Sequence, residues 1–294
     1  MTATSIDQAQ GSRQQNARYL LRGLWYFVCV ALTVWFLFPI GWSIITSLKP
    51  ASEINAVPLT ILPKNLTLEN YTNLNHIGSG IVRYTTNSVL VSFYTIVGTI
   101  LLSTLAGYGF ARFDFRGKAA LFILVLSPLM IPFQAIMIPL FLVLRALSLN
   151  NTLQGLAMVY ITAQLPFGIF IMRNVFATVP RDIEEAALMD GCSPLRMLYR
   201  VMLPLVMPGI ITIGLFAFFN AWNELFAALI YLTDSDKYTL PLLLATARTN
   251  PGLFGGTNWG GLQASVTITM VPCLLLFMFL QRYYVSGLTG GAVK

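Results

Sequence analysis

Six apolar stretches, each more than twenty residues long, make up most of this chain and leave it few ways to fold. They run over about 20–48, 85–112, 119–145, 153–177, 205–232 and 261–284. A helix of roughly 20 apolar residues, rising 1.5 Å per residue, crosses about 30 Å of hydrocarbon. A soluble domain carries about a quarter charged residues. Here the share is 10%, too few to cover a water-facing surface, and mean hydropathy is +0.71. The pattern predicts an all-α integral membrane protein with six transmembrane helices. A polar arm, 1–19, precedes the six-span region 20–284, and a short tail, 285–294, follows it. The first block is too long for a signal-peptide core and no small-x-small cleavage site follows it, so it reads as a retained anchor.

The cations orient the spans. With both termini in the cytosol, Lys49, Lys64, Arg83, Arg145, Lys237 and Arg248 fall outside, and the other twelve of the 18 Lys and Arg fall inside. That excess matches the positive-inside rule. The net charge of +7 is explained by topology, so no nucleic-acid partner is implied. Two outer loops are long: 49–84, and 233–260 with Pro251 and the glycines Gly252, Gly255, Gly256 and Gly260 running into Gly261. The second reads as an irregular projecting loop.

Cys29, Cys192 and Cys273 are far apart and His76 stands alone, so neither a disulfide framework nor a metal site is expected. There is no P-loop, HExxH or GxSxG. The sequence therefore predicts no catalytic residues, no ATP hydrolysis and no cofactor in this chain.

One polar island, 178–204, lies between the fourth and fifth spans on the cytosolic side. Arg181-Asp182-Ile183-Glu184-Glu185 follows Pro180, a helix-entry residue, and places acids where the helix dipole favours them. Ala186 and Ala187 are small, which permits close approach of another surface. Gly191 ends this helix as a glycine cap. Ser193-Pro194 starts a second, with serine as N-cap and proline in the first turn. Leu195, Leu198, Tyr199 and Met202 recur at helical spacing, and Leu203-Pro204 turns the chain back toward the membrane. From the residues alone, the pair is either a docking element or a solvated loop helix.

The spacing Glu185-Ala186-Ala187, three residues, Gly191, nine residues, Val201-Met202-Leu203-Pro204 resembles the EAA motif of permease subunits of binding-protein-dependent ABC importers, with Val201 where isoleucine is usual. Ala106-Gly107-Tyr108 with Ala111-Arg112, the run from Pro132 to Pro139-Leu140-Phe141, Asn220-Ala221-Trp222-Asn223-Glu224, and the ending Gly287 to Lys294 resemble the carbohydrate-uptake branch, in particular the smaller permease of the maltose importer. The resemblance implies a coupling-helix pair that receives force from an ATPase, carried by Glu184, Glu185, Ala186, Ala187, Asp190, Gly191, Leu203 and Pro204. It also implies a second permease, two ATP-binding subunits holding ATP and Mg, an extracytoplasmic solute-binding protein, a sugar substrate and a bacterial or archaeal inner membrane. The loop 233–260 would enter or brace the binding protein, and the tail would lie near the ATPases.

Inside the membrane, Asn220, Asn223 and Glu224 have the spacing of one helix face. A buried carboxylate costs about 2.5–3.5 kcal/mol on insertion scales, so Glu224 must face protein or water. It either lines the translocation pathway or packs against a neighbouring helix. The competing class is an ion-coupled secondary transporter, for which Glu224 is the candidate carboxylate. Pro128, Pro132 and Pro139 in the third span and Pro166 in the fourth are expected to interrupt or kink their helices. Most of Trp25, Tyr26, Trp35 and Trp42 on the first span should face lipid or its interface.

Overall fold

A computed structural model describes the backbone of residues 3–58, 60–249 and 259–289, with side chains over 18–58, 60–246 and 259–279. The regular structure among the described residues is all helical, without strands. Helix α1, Ala3–Ser47, opens the chain and runs back through the expected polar arm. Two short helices, α2 (Ala51–Ile54) and α3 (Glu69–Asn73), lie in the loop that follows. Next come α4 (Ile81–Arg112), α5 (Lys118–Leu126), α6 (Phe133–Ala146) and α7 (Leu153–Thr178). The polar island holds α8 (Arg181–Met189), α9 (Pro194–Met197) and α10 (Leu203–Leu205). The chain then forms α11 (Met207–Asn223), α12 (Phe226–Tyr231), α13 (Leu240–Thr249) and α14 (Trp259–Thr289).

Four helices are long and apolar enough to cross a membrane, over Arg18–Ser47, Ile81–Arg112, Leu153–Thr178 and Trp259–Phe279. Two bent pairs raise the number to six if each is one span: Lys118–Met130 with Phe133–Ala146 at 106°, and Pro194–Leu205 with Met207–Asn223 at 77°. The third span is therefore not the single helix 119–145. Pro128 sits in a 3-10 turn over Ser127–Met130 and Pro132 precedes α6, so two backbone donors are missing within five residues and the ladder parts there. Pro139 and Pro166 lie inside unbroken helices. The fifth span also differs from a single helix over 205–232, because it stops at Asn223 and resumes at Phe226. Gly260 and Gly261 belong to α14 rather than to the loop. Residues 250–258, with Pro251, Gly252, Gly255 and Gly256, and residues 290–294 of the expected tail lie outside the described residues.

The centre of the bundle is the seam between α4 and α7. On α4, Ser88, Ser92, Thr95, Thr99, Ser103 and Gly107 are buried at intervals of three or four residues. Lipid supplies no hydrophobic drive between helices, so small residues that let backbones approach are what bind them. A methyl group built on Gly107 would lie 2.5 Å from Met172 Cβ, and one on Gly168 would lie 2.9 Å from Ser103 Cβ. Helix α11 joins the seam the same way, with Gly209 facing Val175 and Gly214 facing Ile100. Trp222, fully buried, stacks on Phe218 and donates its indole N–H to the Thr269 carbonyl at 3.0 Å, tying α11 to α14.

Helix α1 stands apart. Its apolar length, with Trp25, Tyr26 and Trp35, is exposed, and it meets the bundle mainly at its C-terminal end. There Ser43 donates to Gln263 Oε1 at 2.6 Å. Lipid or another subunit must cover the rest.

Candidate functional site

The polar island folds as its local signals require. Proline precedes α8, and Asp182 and Glu184 lie in its first turn. At its end the Cys192 amide donates to the Ala187 carbonyl at 3.1 Å and the Gly191 amide to the Leu188 carbonyl at 3.0 Å. That double closure is a Schellman cap. It needs a left-handed residue at Gly191, where φ is +78°. Ser193 Oγ accepts from the Arg196 amide at 3.4 Å, with Pro194 in the first turn of α9. A five-residue π-turn, Leu198–Met202, links α9 to α10.

This element is fastened to the end of the bundle that carries Arg112. Ile183, Leu198 and Leu203 pack on a buried cluster of Met172, Phe176, Val179, Met202, Val206 and Ile213. Arg112 Nε lies 2.5 Å from Glu184 Oε1, with only 7% and 14% of the two side chains exposed. The two atoms are close but not aligned as donor and acceptor, so the contact is ionic. Arg112 Nη2 also donates to the Val179 carbonyl at 2.8 Å. Outside the bundle, Lys118 hydrogen-bonds Asp114 at 3.1 Å and holds that carboxyl below the usual aspartate range, with Arg181 adding to the effect from 3.7 Å.

The candidate coupling residues thus divide into two sets. Glu184, Ala187 and Leu203 turn toward the bundle, Glu184 and Leu203 being only partly exposed and Ala187 buried. Glu185, Ala186, Asp190, Gly191 and Pro204 are exposed. Of the two alanines, only Ala186 is available to another surface. Beside it, Met189 and Leu195 are 88% and 76% exposed. Both apolar side chains are held away from the chain's own core. Of the second helix's apolar positions, Leu198 and Met202 point inward while Leu195 and Tyr199 point out.

A second polar group sits within the fifth span. Asn220, Asn223 and Glu224 do not share one helix, because α11 ends at Asn223 and Glu224 is extended, with ψ 129°. The Glu224 carboxylate accepts from the Ala227 amide at 2.9 Å and the Ala228 amide at 3.4 Å, which caps α12. It also accepts from Tyr160 Oη at 2.9 Å, across from α7. Tyr231 on α12 in turn donates to the Met137 carbonyl at 2.6 Å. Asn220 and Asn223 behave differently: both are exposed and donate back to the carbonyls of Phe216 and Phe219.

Neither Arg112 nor Tyr160 stands out in the sequence as a partner for these carboxylates. Arg112 marks the end of a span and Tyr160 is one of twelve tyrosines. No local spacing pairs Arg112 with Glu184 or Tyr160 with Glu224. Among the described residues no group of three or more His, Cys, Asp or Glu is placed to hold a metal.

Comparison with known proteins is informative over nearly the whole chain. Residues 81–290 match the family described as binding-protein-dependent transport system inner membrane component. The chain is 33% identical over 268 residues to the diacetylchitobiose uptake system permease protein DasC of Streptomyces coelicolor, covering 90% of this chain and 94% of that one. It is 34% identical over 265 residues to the arabinooligosaccharides transport system permease protein AraQ of Bacillus subtilis, covering 90% and 92%. In fold it is similar to a chain of a bacterial ABC transporter involved in the import of the acidic polysaccharide alginate, with a TM-score of 0.80 at 22% identity, covering 91% of this chain and 98% of that one.

Proposed function

This chain belongs to the family of inner membrane components of binding-protein-dependent transport systems, and we propose that within it the chain is the permease of an ATP-driven carbohydrate importer. The observation that carries the reading is the outward face of the polar island. Glu185, Ala186, Met189 and Leu195 are held in the open by an element whose other face is bound to the bundle. A carboxylate, a small residue and an apolar side chain on the capped helix α8, with a second apolar side chain on α9, suit a cleft on a separate ATPase subunit. The 33% and 34% identical relatives are permeases for diacetylchitobiose and for arabinooligosaccharides, which points to an oligosaccharide or related sugar as cargo.

In this reading the spans number six, the third made by the bent pair α5 and α6 and the fifth by α11 with α12, both termini are cytosolic, and α8–α10 lie in the cytosol between spans four and five. A second permease, two ATP-binding subunits holding ATP and Mg, and an extracytoplasmic binding protein complete the complex. ATP-driven closure of the ATPases pushes α8 and reorients the spans. The exposed amides of Asn220 and Asn223 cannot rest in hydrocarbon without cost, so they face the pathway or the second permease. Glu224 has a structural task, capping α12 and tying it to Tyr160. With its oxygens so engaged, it is a poor ion ligand, which disfavours an ion-coupled carrier.

The test is uptake by proteoliposomes holding the co-purified complex and its binding protein, with radiolabelled di- and oligosaccharides supplied singly. Accumulation should require internal ATP and persist when ionophores collapse ion gradients. Uptake that needs a proton or sodium gradient and ignores ATP would refute the proposal.

A further inference from the structure

We propose that Arg112 is the residue that transmits the movement of the cytosolic helix α8 into the second span, acting as a positioning residue for transport. The proposal rests on the reading that α8 docks an ATPase.

The chain runs from α7 directly into α8, so a push on α8 reaches the fourth span through a covalent connection. The second span has none. Arg112 is the last residue of α4, separated from Glu184 by 72 residues of sequence. Its guanidinium nonetheless closes two contacts at once: the ionic one to Glu184 on α8 and the hydrogen bond to the Val179 carbonyl just after α7. Three elements therefore meet at one side chain. Both ionic partners are largely buried, where charges are little screened and an unpaired one is strongly disfavoured. A surface pair would leave α8 free to swing, whereas this one fixes it.

The neighbouring packing makes the same block rigid. One turn before Arg112, Tyr108 packs edge-on against Phe176, with ring centroids 5.3 Å apart. Gly107 lets α4 approach the Met172–Arg173 backbone of α7. Helix α5 begins beyond the 113–117 corner, and its span is broken at Pro128 and Pro132. Movement of α8 therefore passes to α4 and α7 together, while the third span has a joint of its own.

Glu184 and Glu185 are adjacent acids with separate tasks. Glu184 faces in and anchors α8 to Arg112, while Glu185 faces out. Loss of the inner contact should leave ATPase docking intact and lose the transfer of motion.

The experiment uses the assembled complex in nanodiscs. Spin labels are placed at Asp182→Cys on α8 and Arg116→Cys beyond α4, both exposed, with the native cysteines changed to serine. Pulsed EPR then measures their separation without nucleotide and after trapping with ATP, Mg and vanadate in the presence of the binding protein. With Arg112 and Glu184 intact, the distance should be the same in both states. In Arg112→Gln or Glu184→Gln it should broaden and shift on trapping. Stimulation of hydrolysis by the binding protein should fall by about tenfold, within the usual range of coupling between distant sites, and the exchange Arg112→Glu with Glu184→Arg should restore it. A distance that changes on trapping in the intact complex overturns the proposal whatever the variants do, as does full stimulation in Arg112→Gln. Failure of any ATPase to co-purify with the unaltered chain would instead overturn the functional reading.

Discussion

Two glycines on α4, two residues apart, should respond to the same substitution in opposite ways. Gly107 faces α7, whereas a methyl built on Gly109 meets nothing within 4 Å. Replacing glycine by alanine inside a helix gains up to about 1 kcal/mol from propensity, and both sites receive that gain. At Gly107 the new methyl would lie 2.5 Å from Met172 Cβ, 2.9 Å from the Arg173 nitrogen and 3.0 Å from the Met172 carbonyl carbon. Non-bonded carbons rest at about 3.5–4.0 Å, so α4 and α7 must part by roughly 1 Å along that line. Overpacking costs about 1–3 kcal/mol. The atoms in the way are backbone and Cβ, which cannot swing aside, so the upper end, about 3 kcal/mol, applies. Gly107→Ala should then be about 2 kcal/mol less stable than the parent, and Gly109→Ala up to about 1 kcal/mol more stable. Unfolding of the detergent-purified protein by a dodecyl sulfate titration, followed by far-UV circular dichroism, measures both against the parent. Equal stability of the two variants would refute the close backbone approach of α4 and α7, and with it the rigid block on which α8 is mounted.

Other outcomes follow from the same geometry. Gly191→Val puts a β-branched residue at φ +78°, where even an unbranched one costs about 1–2 kcal/mol. It should loosen the end of α8 and separate ATP hydrolysis from uptake in a complex that still assembles, and tight coupling in this variant would count against the lever. The exposed substitution Glu185→Lys should have the same effect through docking, read as uncoupled or lost ATPase stimulation. Glu224→Ala leaves the Ala227 and Ala228 amides and Tyr160 Oη without their acceptor, each loss costing about 1–3 kcal/mol. It should lower the thermal midpoint, with Glu224→Gln in between, and an unchanged midpoint would deny the capping role. Outside the spans, Glu53 accepts from the Lys64 amide and from the amide and side chain of Asn65, which hold its carboxyl below the ordinary glutamate value. A lowered folded value means the contribution is fully present above about pH 4.3 and is lost as pH falls through the lower folded value. Protection of the Lys64 and Asn65 amides from hydrogen exchange, taken relative to the intrinsic rate at each pH, should therefore be lost only under acid, and Glu53→Gln should remove that dependence.

What the sequence shows is decided by neighbours along the chain. The apolar blocks indicate membrane spans, because only their length and lack of charge matter. Gly191 and Ser193-Pro194 are legible as cap and restart because their hydrogen bonds close within five residues. Pro128 and Pro132 break their span because two missing donors fall in adjacent turns. Pro139 and Pro166 stand alone, and their helices continue past the loss of a single bond.

Helical spacing says which residues share a face, but not which face finds a partner. Glu184 and Glu185 are the same residue type at adjacent positions of one short helix. Arg112, brought from the end of α4, turns one inward and leaves the other exposed. Ala186 and Ala187 part in the same way. Asn220, Asn223 and Glu224 have helical spacing, yet α11 stops before Glu224, whose carboxylate holds the amides of α12 and Tyr160 on α7 instead. The sequence alone fixed the membrane class, the number of apolar blocks and the local caps, because these depend on short-range hydrogen bonding and on transfer out of water. Tertiary structure alone chose which carboxylate anchors and which is left exposed. That choice depends on charges and hydroxyls more than sixty residues away, which only the packing of α4, α11 and α12 around α7 brings within reach.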